Sequence, residues 1–229
     1  IRVEDGARVE VKLFHSFTSD PQYAQQLVRT SHALEAVTSG GPLRVLDVGV
    51  VEGRLAVVRE FVDGPSLGQL LQRMTERAQH LPPAVALSLM VGVAEAVHVA
   101  HEAGVTHGGL TPGNLWIGEE GALRVADFGA MAALLSVPAL KRSLAPRGRT
   151  VYRAPESDGG RDSLTVSGDV YALAAITYEL LTSSEVRFEE GRAVPPSRVN
   201  RRLTSRIDGP LVRALEAHPD QRTRSAGDL

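Results

Sequence analysis

The 229-residue chain has no cysteine, which excludes disulfides and thiol chemistry. Aromatic residues are scarce, at 4%, with Trp116 the only tryptophan. Charge of neither sign dominates. Twenty-five Lys and Arg face 27 Asp and Glu, a net of −2, so no overall field draws the chain to nucleic acid or to an acidic membrane. Seven histidines without a cysteine, none at ligand spacing beside a carboxylate, leave no zinc signature, and no metal is expected. The longest apolar run, PAVALSLMVGVA, is followed at once by Glu95 and reads as too short to span a bilayer, so no membrane insertion by this segment is expected. There is no signal-peptide pattern, no repeat and no low-complexity tract, and the opening IRVEDGARVEVKLF reads as if it began mid-strand. A cytoplasmic setting is compatible, including the intracellular part of a larger membrane-anchored protein.

What is present is an ordinary apolar fraction, 43%, in a chain long enough for one large domain or two small lobes. The first third reads as strands around one helix. ARVEVKLF, LRVLDVG and RLAVVREFV are β-rich, the last two joined by a short turn at Gly53. Residues 21–37 read as a helix opened by Asp20-Pro21, an acidic cap before a proline at the first helical position. From residue 82 the texture is helical. Val85, Leu89, Val93 and Val97 suggest a buried stripe on a long helix over 82–103. A hairpin (LWIGEEGALRV), a loop of nearly thirty residues and a very apolar helix (VSGDVYALAAITYELLT) complete the outline.

Six short motifs occur in order along this outline: VEVK ending at Lys12, HGGLTPGN from His107 to Asn114, DFG at 127–129, APE at 154–156, SGDVYAL containing Asp169, and HPDQR containing Arg222. Together they resemble the protein kinase family, most closely its bacterial Ser/Thr type, over almost the whole chain. The resemblance implies an α+β fold of two lobes. Residues 1–62 would form a small β-rich lobe with no visible glycine-rich loop, and residues 63–229 a larger helical lobe.

The resemblance also shows what is missing. Phosphoryl transfer relies on positioning and charge neutralisation by Mg²⁺, by a Lys held by a helix Glu, and by a base. Gly109 stands where the family has its catalytic Asp, and glycine cannot accept a proton. Thr30 stands where the Lys-pairing Glu belongs. Glu35 is the nearest alternative, but five residues turn a helix by about 500° and aim it elsewhere. Thr111 replaces the usual loop Lys, and Arg149 a bridging Thr. Lys12, Asn114 and Asp127 remain as remnants of the nucleotide and metal site, and without a helix Glu the simplest partner for Lys12 is Asp127.

Three positions implied to surround the adenine are also altered: Glu10 in the roof, Trp116 in the floor and Arg59 at the back. Burying either charge against a purine without a partner costs several kcal/mol, on the order of the penalty for an unpaired ion. Scaffold positions are kept. Leu34, His107 and Phe128 match a hydrophobic stack joining the lobes, Asp169 should accept backbone hydrogen bonds near His107, and Glu156 should pair with Arg222.

The expectation is therefore a pseudokinase: a kinase-like domain that works by binding, as a scaffold or allosteric module, without ATP or another cofactor. Its partners would be proteins, either a kinase or a phosphopeptide-binding signalling protein, and not nucleic acid. Lys141, Arg142, Arg147, Arg149 and Arg153 lie in a stretch from Phe128 to Pro155 that has no acid. They read as a solvated loop or as a docking surface for an acidic or phosphorylated partner, with Ser136, Ser143 and Thr150 as phosphoacceptors. The alternative is an unconventional phosphotransferase using Lys12, Asn114 and Asp127.

Overall fold

A computed structural model of the chain describes residues 6, 8–14, 21–35, 41–118, 121, 123–136, 151–159 and 164–229. The small lobe holds a three-stranded antiparallel sheet of β1 (Val9–Leu13), β2 (Val45–Val51) and β3 (Arg54–Glu60), in the order β1-β3-β2. The turn between β2 and β3 uses Glu52 and Gly53, both at positive φ, which glycine adopts without strain. Helix α1 (Pro21–Glu35) packs on the sheet. The expected cap, Asp20, lies outside the described residues. Tyr23 and Leu27 of α1 meet Leu55 and Val57 of β3 in a small core.

The chain crosses to the large lobe after β3. Helix α2 (Leu67–Glu76) is opened by a capping box in which Ser66 and Gln69 satisfy each other's backbone N–H groups. Helix α3 (Pro83–Glu102) follows. Its buried face is Ala86, Met90, Val93, Ala96, Val97 and Ala100, whereas Val85 is 44% exposed. The stripe expected from Val85 and Leu89 is thus displaced by one residue at its start. A four-residue step overshoots a full turn by roughly 40°, so a strict i+4 series drifts off the face. At 20 residues α3 is also longer than the apolar run read from the sequence, and by length and composition alone it could cross a bilayer. It packs instead in the large-lobe core against α5 (Val166–Thr182), twelve of whose residues are buried.

A hairpin of β4 (Leu115–Ile117) and β5 (Leu123–Val125) lies at the lobe boundary. The segment Gly41–Leu43 docks on it: Leu43 N–H donates to Val125 O at 2.8 Å, and Val125 N–H to Gly41 O at 2.9 Å. The loop expected after the hairpin is not all loop. Helix α4 (Ala130–Ser136) begins immediately after Asp127–Gly129 and packs on α1. Seven residues are too few to declare themselves by periodicity, and the contact with α1 is what the sequence alone does not show. Between Ser183 and Ile207 come a two-residue hairpin of β6 (Phe188–Glu189) and β7 (Arg192–Ala193) and a single helical turn, α6 (Pro196–Val199), before α7 (Asp208–Ala214).

Candidate functional site

The cleft between the lobes is built from alternation on two strands. Glu10 and Lys12 share one face of β1, and the register places Glu10 opposite Arg59 and Lys12 opposite Val57. Leu55, Val57 and Arg59 of β3 are buried on that same face. From below, the 3-10 turn Pro112–Asn114 presents Asn114, and Asp127 follows β5 in the left-handed region, at φ 66°.

These side chains form one closed network. Lys12 Nζ lies 2.7 Å from Asp127 Oδ2, the partner expected for a lysine with no helix glutamate. Asn114 Nδ2 donates to the same oxygen at 3.0 Å, and Thr111 Oγ1 donates to Asn114 Oδ1 at 2.8 Å. Arg59, 4% exposed, donates Nη1 to Asp127 Oδ1 at 3.0 Å. Its other edge forms a fork on Glu10, with Nε at 3.0 Å from Oε2 and Nη2 at 2.7 Å from Oε1. The guanidinium carbon is 5.4 Å from the centroid of the Trp116 ring. Two cations, Lys12 and Arg59, balance two carboxylates, Glu10 and Asp127. Burial pushes the Asp127 carboxyl up, but the Lys12 charge and hydrogen bond, then the Arg59 charge, hold it below the ordinary aspartate value.

Arg59 and Glu10 thus satisfy each other rather than standing unpartnered in the cleft, which removes the penalty the sequence alone implied for each. The arrangement is a poor fit to Mg²⁺ and a nucleotide. Both Asp127 oxygens and the Asn114 carbonyl already accept hydrogen bonds from the protein. A cation there would have to displace two protein cations, and a phosphate would have to take Lys12 from Asp127.

The loop at Gly108 and Gly109 is crowded by neighbouring side chains. Gly108 sits at φ 69°, which favours glycine, and a Cβ there would fall 2.0 Å from Leu164 Cδ2, the movable end of that side chain. At Gly109 a Cβ would lie 3.3 Å from Met131 Cε, on α4. Around them the scaffold is intact. Asp169, 1% exposed, accepts from His107 N at 2.7 Å and Gly108 N at 2.8 Å. His107 stacks on Phe128 with ring centroids 5.0 Å apart, and Leu34 packs against the same core. His107 donates Nε2–H to Ala126 O at 2.9 Å and accepts Gly109 N–H on Nδ1 at 3.3 Å, which fixes its tautomer. Arg222 forks onto Glu156 at 2.6 and 2.7 Å.

Three contacts escaped the sequence reading. His101 Nε2 reaches Asp169 Oδ2 at 2.8 Å, Arg124 pairs with Glu60, and Tyr152 OH donates to Glu179. The first was signalled by the single turn separating His101 from the loop at His107; the other two depend on tertiary contacts that carry no local signal. Arg149 and the basic residues Lys141, Arg142 and Arg147 lie outside the described residues, as do Ser143 and Thr150, and the side chains of Glu35 and Ser136 are likewise not described.

The protein kinase domain family matches residues 1–210. The chain belongs to that family. It is 25% identical over 233 residues to a probable serine/threonine-protein kinase of Clostridium perfringens, a match covering 96% of this chain and 33% of that protein. It is 27% identical over 237 residues to the serine/threonine-protein kinase PknB of Mycobacterium leprae, covering 96% of this chain and 37% of that one. The chain therefore spans about a third of these relatives. Among solved structures, the kinase domain of Mycobacterium tuberculosis PknI aligns with a TM-score of 0.71 and 25% identity, over 95% of this chain and 80% of that one. The fold is the bilobal kinase fold, with a β-rich small lobe and a helical large lobe.

Proposed function

We propose that this kinase domain is catalytically inactive, does not bind ATP, and acts as a binding, scaffolding or allosteric module for protein partners in signalling. The observation that carries the reading is Arg59, buried between Glu10 and Asp127 where the family's nucleotide would lie. Gly109 in place of the base and Thr30 in place of the Lys-pairing Glu support it from two other directions. A protein partner, either a kinase or a phosphopeptide-binding signalling protein, is the kind of ligand that a closed cleft leaves available.

The assay that tests it is phosphate transfer from labelled Mg-ATP to the domain itself and to a generic protein substrate. No transfer above background is expected for the wild type or for Gly109→Asp, because restoring the carboxylate leaves Arg59 and Thr30 in place. Transfer that disappears in Lys12→Ala and Asp127→Ala would instead establish the unconventional phosphotransferase that these retained residues make conceivable.

A further inference from the structure

Between α6 and α7 the chain reads Asn200-Arg201-Arg202-Leu203-Thr204-Ser205-Arg206. It is anchored at few points. Asn200 Nδ2 donates to Leu181 O at 2.7 Å, Leu203 is 9% exposed, and just beyond the stretch Asp208 accepts Ser197 Oγ–H at 2.6 Å and Ser197 N–H at 3.0 Å. Between these anchors Arg201, Arg202, Thr204, Ser205 and Arg206 are all exposed. The three guanidinium groups have no hydrogen bond or ion pair among the described residues. Asp208, the nearest carboxylate in the sequence, is committed to Ser197.

Thr30, Ser31, Thr75 and Ser225 also follow an arginine within two residues, but none is available as Thr204 is. Thr30 is buried, Ser31 Oγ donates to Val28 O at 2.9 Å, Thr75 Oγ1 to Leu71 O at 3.0 Å, and Ser225 Oγ to Asp228 Oδ2 at 2.7 Å. The Thr204 hydroxyl is exposed and has no partner among the described residues, and its backbone is extended, at φ −85° and ψ 146°. Ser205 already belongs to a 3-10 turn, Ser205–Ile207.

We propose that Thr204 is a phosphorylation site for a basophilic Ser/Thr kinase, one whose substrate groove is acidic. Arginines two and three residues before the acceptor supply the charge that such a groove selects, and an extended backbone is the form in which a groove takes a peptide. The partner's ATP supplies the phosphoryl group. The bond from Thr204 Oγ1 to the γ-phosphorus forms as the bond from that phosphorus to the β–γ bridging oxygen breaks. ADP leaves, and the hydroxyl proton passes to the partner's catalytic base. Leu203, beside the acceptor, must lift from the core for the groove to close, which is a local opening. The phosphate then places roughly two negative charges among Arg201, Arg202 and Arg206, and guanidinium–phosphate pairs are of the strong, bidentate kind. The site goes beyond the proposed binding role, because it makes the domain a substrate as well as a partner, and it does not depend on what the cleft holds.

The test incubates the domain with Mg-ATP and a purified kinase domain that selects arginine two and three residues before its acceptor, then maps phosphate by mass spectrometry. Phosphate on Thr204 is expected. Thr204→Val should remove it, and Arg201→Ala with Arg202→Ala should slow it by at least about tenfold; all three side chains are exposed, so the fold should be kept. Amide exchange over 200–207 should slow in the phosphorylated form, and unchanged exchange would overturn the capture of the phosphate by the arginines. Phosphate only at other positions, or none on Thr204 whether or not a free Asn200–Asp208 peptide is modified, would overturn the site. So would an undiminished rate in the double arginine variant. Incubation without the added kinase reads the proposed inactivity separately: phosphate appearing there would contradict that reading and not the assignment of Thr204.

Discussion

Arg222→Ala is expected to destabilise the domain by about 3–5 kcal/mol, the range for removing one partner of a buried ion pair. The Arg222 side chain has no exposed surface, and Glu156 retains 22% of its own. Besides the fork onto Glu156, its Nε donates to Glu216 O at 2.7 Å, and its terminal nitrogens reach Ala217 O at 3.0 Å and Ser167 O at 3.2 Å. The guanidinium also lies 5.1 Å from the Tyr171 ring. Truncation strands a carboxylate and at least three carbonyls, and a lysine cannot rebuild a planar fork. Burial pushes the Glu156 carboxyl up, but the Arg222 hydrogen bonds and charge hold it below the ordinary glutamate value. The sign follows from that direction: a lowered folded pKa gives stability that is complete above the unfolded value of about 4.3. In the wild type this contribution should stay level above about pH 4.3 and be lost as pH falls further, through the folded pKa of Glu156. Urea unfolding of both proteins from neutral to acid pH measures both effects. A loss below about 0.5 kcal/mol, the ordinary size of a surface substitution, would show that the pair carries no stability.

Asp169→Ala should cost at least a similar amount, about 3 kcal/mol or more, because it strands three donors at about 1–3 kcal/mol each. Those are the N–H groups of His107 and Gly108 and the His101 ring nitrogen. Among the described residues none has another partner, and the site lies between α3, α5 and the loop at His107, where collapse would disturb all three elements. Asp169→Asn keeps one acceptor but turns an amide N–H₂ toward donors, so it should recover only part of the loss. If Asp169→Ala unfolds at the same urea concentration as the wild type, the loop at His107 is held by packing alone.

Much of this was readable from residues and spacing. Asp169, His107, Glu156 and Arg222 were legible because they match the motifs on which the resemblance rested, and α5 reads as helix because it is apolar on every side. Lys12 with Asp127 followed from charge: a partly exposed lysine at the cleft without one carboxylate takes the next. The fork between Arg59 and Glu10 did not follow. Each residue could be assigned to the cleft singly, but their contact depends on the cross-strand register that sets Glu10 opposite Arg59, fixed by sheet assembly rather than by either segment. The alternation Glu10, Lys12 against Val57, Arg59 was the available signal, since both pairs point to one face. Helix α4 was unreadable for a different reason. AMAALLS is a short apolar stretch, stable only because Ala133 and Leu134 find α1 and β3.

If the cleft holds its own ion-pair network in place of a nucleotide, as proposed, a melting curve with millimolar ATP and Mg²⁺ will show it. A ligand bound only to the folded state at about a hundred times Kd adds roughly 2.7 kcal/mol of stability. In a domain of this size that raises Tm by several degrees, at about 2–4 °C per kcal/mol. With Arg59 seated between Glu10 and Asp127, no resolvable shift is expected. A rise in Tm that requires Mg²⁺ and vanishes in Asp127→Ala would contradict the account, because it would show Asp127 leaving Lys12 and Arg59 to bind a metal–nucleotide complex.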